Sequence, residues 1–226
     1  MSIIENKNAG KIGVLQPLVK QMSFIYQRRL KVFERAVRQA ERKLSPLYPP
    51  AALDRDGLVS FDTNCPRGAA YTASPSGNIF EAFKKVTSPE KRSLVDCGSG
   101  LGLPCFIGSL FFKDVTGVEL DHRLFIESEK IRRKLKINNV RFENMDFLEA
   151  DLQKYDAIFM YWPFYDDFSG LMSAKLKETK PGTFIISHRY GKKDIFSPKD
   201  YRLIYADISN FITSDFTSGT FVFERK

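Results

Sequence analysis

The sequence predicts an α/β fold built on a mainly parallel sheet, and three observations predict it. Ser93-Leu-Val-Asp-Cys-Gly-Ser-Gly-Leu-Gly102 runs from an apolar strand end through an acid into a glycine turn. Pro104 then opens an apolar segment, as suits the first turn of a helix. Beyond it, short apolar strands alternate with helix-length amphipathic segments, the pattern of βαβ units.

The glycine corner is the strand–turn–helix junction at which α/β proteins hold nucleotides. Leu94 and Val95 read as the end of a buried strand, with Asp96 at its carboxyl end. Gly98, Gly100 and Gly102, with Ser99 between them, let the backbone turn sharply and approach a ligand closely. A dinucleotide fingerprint begun at Gly98 requires glycine at position 103, where Leu103 stands. Asp96 also repels a phosphate and suits a ligand with a cationic end.

Composition bounds the rest. A chain of 226 residues, 43% hydrophobic, accommodates one domain plus an extension. No apolar run of about 18 residues is present, so no membrane-spanning helix is expected. The N-terminus lacks the apolar core of a secretory signal, and the expected location is cytoplasmic. Cys65, Cys97 and Cys105 are too scattered for a disulfide framework and read as buried reduced thiols. His122 and His188 are the only histidines, and no metal site is expected. The net charge of +8 is uneven: residues 1–50 carry 10 Lys/Arg against 3 Asp/Glu, whereas residues 51–226 are close to balanced.

Residues 1–16 have weak periodicity and read as a loose start. From Leu18 to Leu44 the pattern is helical, with Met22, Tyr26, Leu30, Phe33, Val37, Ala40 and Leu44 on one apolar stripe. Arg28, Lys31, Arg35, Arg38 and Arg42 form a basic stripe beside it, interrupted by Glu34 and Glu41. Two readings stand: a surface for RNA, an acidic protein or anionic lipid, or a side helix that packs its apolar stripe on the main domain. The expected division is a basic helical extension over 1–50 and a second domain over 51–226.

Tyr71-Thr-Ala-Ser-Pro-Ser-Gly77 precedes a helix carrying Ile79, Phe80, Phe83 and Val86. Ser74 reads as its N-cap, with Pro75 at the first helical position. The segment is either an ordinary capped loop or a flap over the ligand, in which case Tyr71 and Ser74 touch it. After the glycine turn, Leu103–Phe112 reads as a buried helix. Val115–Leu120 is a strand ending in Glu119, which lies 23 residues after Asp96. An acid one βα unit along the sheet can accept both ribose hydroxyls. A helix over Asp121–Ile137 and a strand over Val140–Glu143 lead to Asp146 and Phe147, placed to accept from an adenine amino group and to flank its ring.

Tyr155–Trp162 reads as the fourth strand and ends in Tyr161-Trp-Pro-Phe-Tyr165. Tyr161, Trp162 and Phe164 are either a core plug or aromatic walls for a sulfonium and an amine. Asp166 and Asp167 start the next helix, Lys180-Pro-Gly182 turns the chain, and Thr183–His188 is the fifth strand. After a basic loop over 189–200, Tyr201–Ile212 and Phe216–Glu224 read as a closing antiparallel pair turning at Thr213-Ser-Asp215.

The order Asp96-x-Gly98-x-Gly100-x-Gly102, Glu119, Asp146, aromatic strand end and Lys-Pro-Gly resembles the class I S-adenosylmethionine (SAM) methyltransferases over about 150 residues, from Tyr71 to the C-terminus. The resemblance implies a Rossmann-like seven-stranded mixed sheet flanked by helices, with the last strand antiparallel. It implies SAM as cofactor, with Gly98 to Gly102 at the methionine part, Glu119 on the ribose, and Asp146 with Phe147 on the adenine.

Val95-Asp-Cys-Gly-Ser-Gly100, Gly117-Val-Glu-Leu120 and Tyr71-x-x-Ser-Pro75 are further similar to the non-SET protein-lysine methyltransferases. That resemblance implies a protein substrate and methyl transfer to a lysine amine. The chain departs from it at Cys97, where an apolar leucine or isoleucine is usual. Tyr161 also stands where enzymes that methylate exocyclic or amide nitrogens carry an amide or carboxylate, which argues against DNA-adenine and glutamine acceptors. The alternatives are a methyltransferase acting on RNA or a small metabolite, and a catalytically silent SAM-binding module.

Overall fold

The computed structural model describes residues 9–48, 60–61, 71–90, 92–161, 166–188, 196–207, 212–213, 216–217 and 219–226. Helix α1 spans Ala9–Leu44 and is followed by a 3₁₀ turn, Ser45–Leu47. Strands β1 (Ser60–Phe61) and β2 (Tyr71–Thr72) form a small antiparallel pair, and α2 covers Ser76–Val86. Then follow β3 (Ser93–Cys97), α3 (Leu103–Gly108), β4 (Asp114–Glu119), α4 (His122–Leu135), β5 (Val140–Asn144), β6 (Ala157–Tyr161), α5 (Asp166–Lys177) and β7 (Phe184–His188). The chain closes with β8 (Tyr201–Asp207), the short hairpin β9 (Ile212–Thr213) and β10 (Phe216–Thr217), and β11 (Thr220–Arg225).

The main sheet has seven strands in the order β5-β4-β3-β6-β7-β11-β8. β3 to β7 are mutually parallel, and β11 runs antiparallel between β7 and β8. This is the expected mixed sheet. Alternation along the strands divides the core. Leu94, Ala157, Phe159, Ile186 and Val222 join Phe83, Phe106, Leu124 and Ile131 in a cluster with α2, α3 and α4. Val95, Cys97, Ile158, Met160 and Ile185 join Met172 and Leu176 of α5 in the other.

The second half of α1 lies on the first cluster. Phe33, Val37, Ala40 and Leu44 are buried there, and Phe33 faces Phe106 at 6.1 Å between ring centroids. Tyr26 stacks on Phe111 and meets Phe80 edge-on. The apolar stripe is therefore spent on packing, while Arg28, Lys31, Arg35, Arg38 and Arg42 stay exposed. The side chain of Met22 lies outside the described residues.

Several boundaries differ from the sequence expectation. α1 begins at Ala9, inside the stretch read as loose. Gly10, Gly13 and Pro17 weaken a helix by propensity without forbidding one. α3 stops at Gly108 rather than Phe112, and the backbone continues in tight turns with Leu110 bonding Ile107 and Phe111 bonding Gly108. A run so largely apolar carries little periodic signal to mark that change. Pro75, not Ser74, occupies the N-cap of α2, and the Ser76 hydroxyl donates to Glu34 of α1. The closing pair is shorter than expected because β9 and β10 sit between its strands.

Candidate active site

The parallel strands all end on one edge of the sheet, and each expected acid sits there or just beyond. Asp96 lies in register beside Gly117 of β4 and Phe159 of β6 and is 1% exposed. Burial pushes its carboxyl up to about 8; the Cys105 thiol, donating to Oδ2 at 3.4 Å, opposes this, and the Glu119 charge adds to it. Among the described residues no basic side chain contributes to that balance. Cys97 and Cys105 are free and buried, and burial pushes both thiols up, away from the reactive thiolate. Cys65 lies outside the described residues.

The turn after Asp96 is held by main-chain bonds. The N–H groups of Gly98 and Ser99 both donate to Val118 O at 2.9 Å, and Gly102 N–H donates to Ser99 O at 2.8 Å. Gly98 has φ +81° and open space where a Cβ would stand. Gly100 has φ +54°, and a Cβ there would meet Cε2 of the Tyr71 ring at 2.8 Å. Gly102 caps α3 beneath Phe142. The Ser99 hydroxyl is buried, without a hydrogen-bond partner among the described residues, and is near enough to Gly117 to meet a Cβ there at 2.8 Å.

Glu119 ends β4 and is 8% exposed. Its Oε2 accepts from Gly100 N–H at 2.7 Å and its Oε1 from Asp121 N–H at 2.8 Å. Burial raises its pKa to about 7, against those backbone donors. The Leu120 backbone N–H also favours the charged form, and an ionised carboxylate offers about four acceptor sites in all. Asp121 caps α4 by accepting from Arg123 and Leu124, and it also accepts from the Tyr48 hydroxyl at 3.1 Å. At the end of β5, Asn144 donates to Glu119 O and Leu120 O. Asp146 caps the 3₁₀ turn Phe147–Glu149 through Leu148 N–H, and Phe147 is buried in the second core cluster.

Tyr71 lies in the short pair ahead of α2, with its ring against Gly100 and its hydroxyl donating to Glu41 Oε1 at 2.9 Å. Ser74 lines a cleft with Glu34, Arg38, Glu41 and Arg42 of α1. Tyr161 ends β6 in register with His188, which ends β7, and the two rings lie 5.3 Å apart at 45°. His188 Nδ1 meets Thr220 Oγ1 at 2.7 Å. Trp162 and Phe164 lie outside the described residues.

The structure thus gathers Asp96, Gly98, Gly100, Glu119 and Tyr71 around one turn, with Asp146 and Tyr161 on the ends of flanking strands. Glu41, Tyr48, Asp121 and His188 belong to this constellation and were not singled out as site residues by sequence. Glu41 carried a legible signal: it falls between Ala40 and Leu44 and four residues after Val37, on the apolar side of α1.

No family model and no curated protein matches the chain. Solved structures do. A magnesium protoporphyrin IX methyltransferase from Synechocystis with bound SAM has a TM-score of 0.54 at 13% identity, over 67% of this chain and 79% of its own. An RNA methyltransferase from Salinibacter ruber with S-adenosylhomocysteine gives 0.50 at 20% identity, over 66% and 92%. A tRNA methyltransferase from M. jannaschii gives 0.54 at 16% identity, over 75% and 57%. The chain has the class I methyltransferase fold.

Proposed function

We propose that this protein is a SAM-dependent methyltransferase whose acceptor is an RNA. The observation that carries the cofactor reading is the pair Asp96 and Glu119, two buried acids flanking a glycine turn, with no basic side chain among the described residues in the charge balance of either. That set suits a ligand with an ammonium end and a diol, and it opposes a pyrophosphate. The open face of Gly98 gives the backbone close access to such a ligand. When bound, SAM supplies a methyl group already activated on a sulfonium. In this reading Asp96 holds the amino end, the two oxygens of Glu119 take the ribose hydroxyls, and Asp146 with Phe147 flanks the adenine. The chain's remaining work is alignment and exclusion of water at the carboxyl edge.

Two features support RNA over the lysine acceptor expected from motifs. The exposed face of α1 carries Lys31, Arg35, Arg38 and Arg42 beside the cleft that Ser74 lines, and such a face suits phosphates. Solved neighbours of the same fold include enzymes named as RNA and tRNA methyltransferases. One observation favours a lysine amine instead: Tyr161 presents an aromatic ring at the end of β6, where desolvation lowers an amine's pKa. Among the described residues no helix is long and apolar enough to cross a membrane.

SAM labelled in its methyl group, incubated with the protein and a cell extract, tests the proposal. Label in RNA, removed by nuclease, is the expected result. Label mapped to a protein lysine overturns the acceptor and keeps the enzyme. No transfer to any fraction, with SAM binding demonstrated, leaves a binding module and overturns the proposed activity.

A further inference from the structure

Glu41 is a buried carboxylate on the inner, apolar side of α1. It is 4% exposed, and burial raises its pKa while Tyr71 and Arg38 oppose that. A helix that needed only to dock would carry a leucine or alanine there, as it does at Ala40 and Leu44. Burying a carboxyl group is unfavourable unless a specific partner compensates. The partner here is the Tyr71 hydroxyl at 2.9 Å.

What Tyr71 does next gives the contact a purpose. Its ring lies on Gly100, so closely that no residue with a side chain fits at that position without displacing it. Gly100 N–H in turn donates to Glu119 Oε2 at 2.7 Å. A chain of contacts therefore runs from α1 through Tyr71 and the glycine turn to the acid expected to hold the ribose. A second contact runs in parallel, from Tyr48, just past α1, to Asp121, whose N–H donates to the other oxygen of Glu119. The end of α1 thus reaches Glu119 from both sides.

We infer that Glu41 is a positioning residue for the cofactor pocket: it holds the Tyr71 ring against Gly100 and, through that turn, fixes the Glu119 carboxylate. The inference rests on the cofactor reading above. The N-terminal helix is then one wall of the pocket and not a detachable appendage. Its outward face carries Arg38 and Arg42 on either side of Glu41, so the surface that meets an acceptor and the residue that sets the pocket share one turn of helix.

Calorimetric titration of S-adenosylhomocysteine into the full chain tests this, with melting temperature measured in parallel. Glu41→Ala and Tyr71→Phe should each weaken binding about tenfold, the scale of one buried hydrogen bond whose partner is left unpaired. The double variant should be little worse than either single one, because both remove the same contact. Glu41→Gln should restore most of the affinity, since its amide oxygen still accepts from Tyr71. A purely structural Glu41 would lower the melting temperature and leave affinity unchanged, which overturns the inference. Additive losses in the double variant overturn it as well. If the native chain itself binds no S-adenosylhomocysteine, the cofactor reading fails first. Should Glu41→Ala not fold, the Gln and Tyr71→Phe variants decide the matter.

Discussion

Asp96→Asn separates what the buried acid does for the site from what it costs the fold. In the folded chain the Asp96 pKa lies at about 8, raised from 3.8 chiefly by burial, with the Glu119 charge adding to the rise and the Cys105 hydrogen bond working against it. Between those two values the folded state keeps a proton that the unfolded state has lost. Stability therefore falls as pH rises through that window, by about 1.4 kcal/mol per pH unit while the folded carboxyl stays protonated. Integrated from pH 6 to pH 8, the loss is about 2 kcal/mol, smaller than the full slope because the folded group begins to ionise near the upper limit. Asparagine keeps an oxygen for the Cys105 thiol and does not titrate. The variant should thus gain about 2 kcal/mol on the native chain between pH 6 and pH 8. For a chain of this size that is about 4–8 °C in melting temperature. Thermal melts of both proteins at the two pH values measure it, and the same variant should lose affinity for S-adenosylhomocysteine. A melting offset equal at pH 6 and pH 8 would refute the buried, proton-holding Asp96.

The same group predicts a proton balance on binding: at pH 7, a ligand ammonium that ionises Asp96 should release up to about one proton, read by calorimetry in buffers of different ionisation heat. Zero release would mean that no cation meets this carboxyl. Gly100→Ala should cost about 1–2 kcal/mol from its φ of +54° and should weaken cofactor binding by displacing the Tyr71 ring; an unaltered affinity would remove that ring from the pocket wall. Phe33→Ala should cost about 3 kcal/mol in urea denaturation, because it opens a cavity where α1 meets Phe106. A loss under about 0.5 kcal/mol would show that α1 does not dock as described.

The placement of much of the candidate site was legible because its acids sit at strand ends. Asp96 and Glu119 each close an apolar run, and the glycines that follow Asp96 mark a tight turn into a helix. The seven-stranded mixed sheet with an antiparallel last strand followed from the family resemblance that these motifs carry, whereas the strand order came only with the structure. What was not legible depended on contacts between distant segments. Glu41 shows in one dimension as an acid on the apolar side of α1, but its purpose is not visible there; only its fold partner, 30 residues on, explains it. Tyr48 follows a proline-bounded helix end and gains meaning only from Asp121. His188 looks like a lone core histidine until β6 and β7 bring it against Tyr161. The length of α3 was overestimated for a different reason: residues 103–112 are mostly apolar, and the run carries too little polar contrast to separate helix from turn.

The central claim is that the carboxyl edge between β3 and β4 takes an adenosyl amino acid and not a phosphorylated nucleotide. A competitive titration states it most directly: S-adenosylhomocysteine and NADH, each added to the native chain and to Glu119→Ala. Saturable binding of S-adenosylhomocysteine alone, lost in the variant, is the predicted result. Binding of NADH in its place, or S-adenosylhomocysteine binding untouched by Glu119→Ala, would contradict the account.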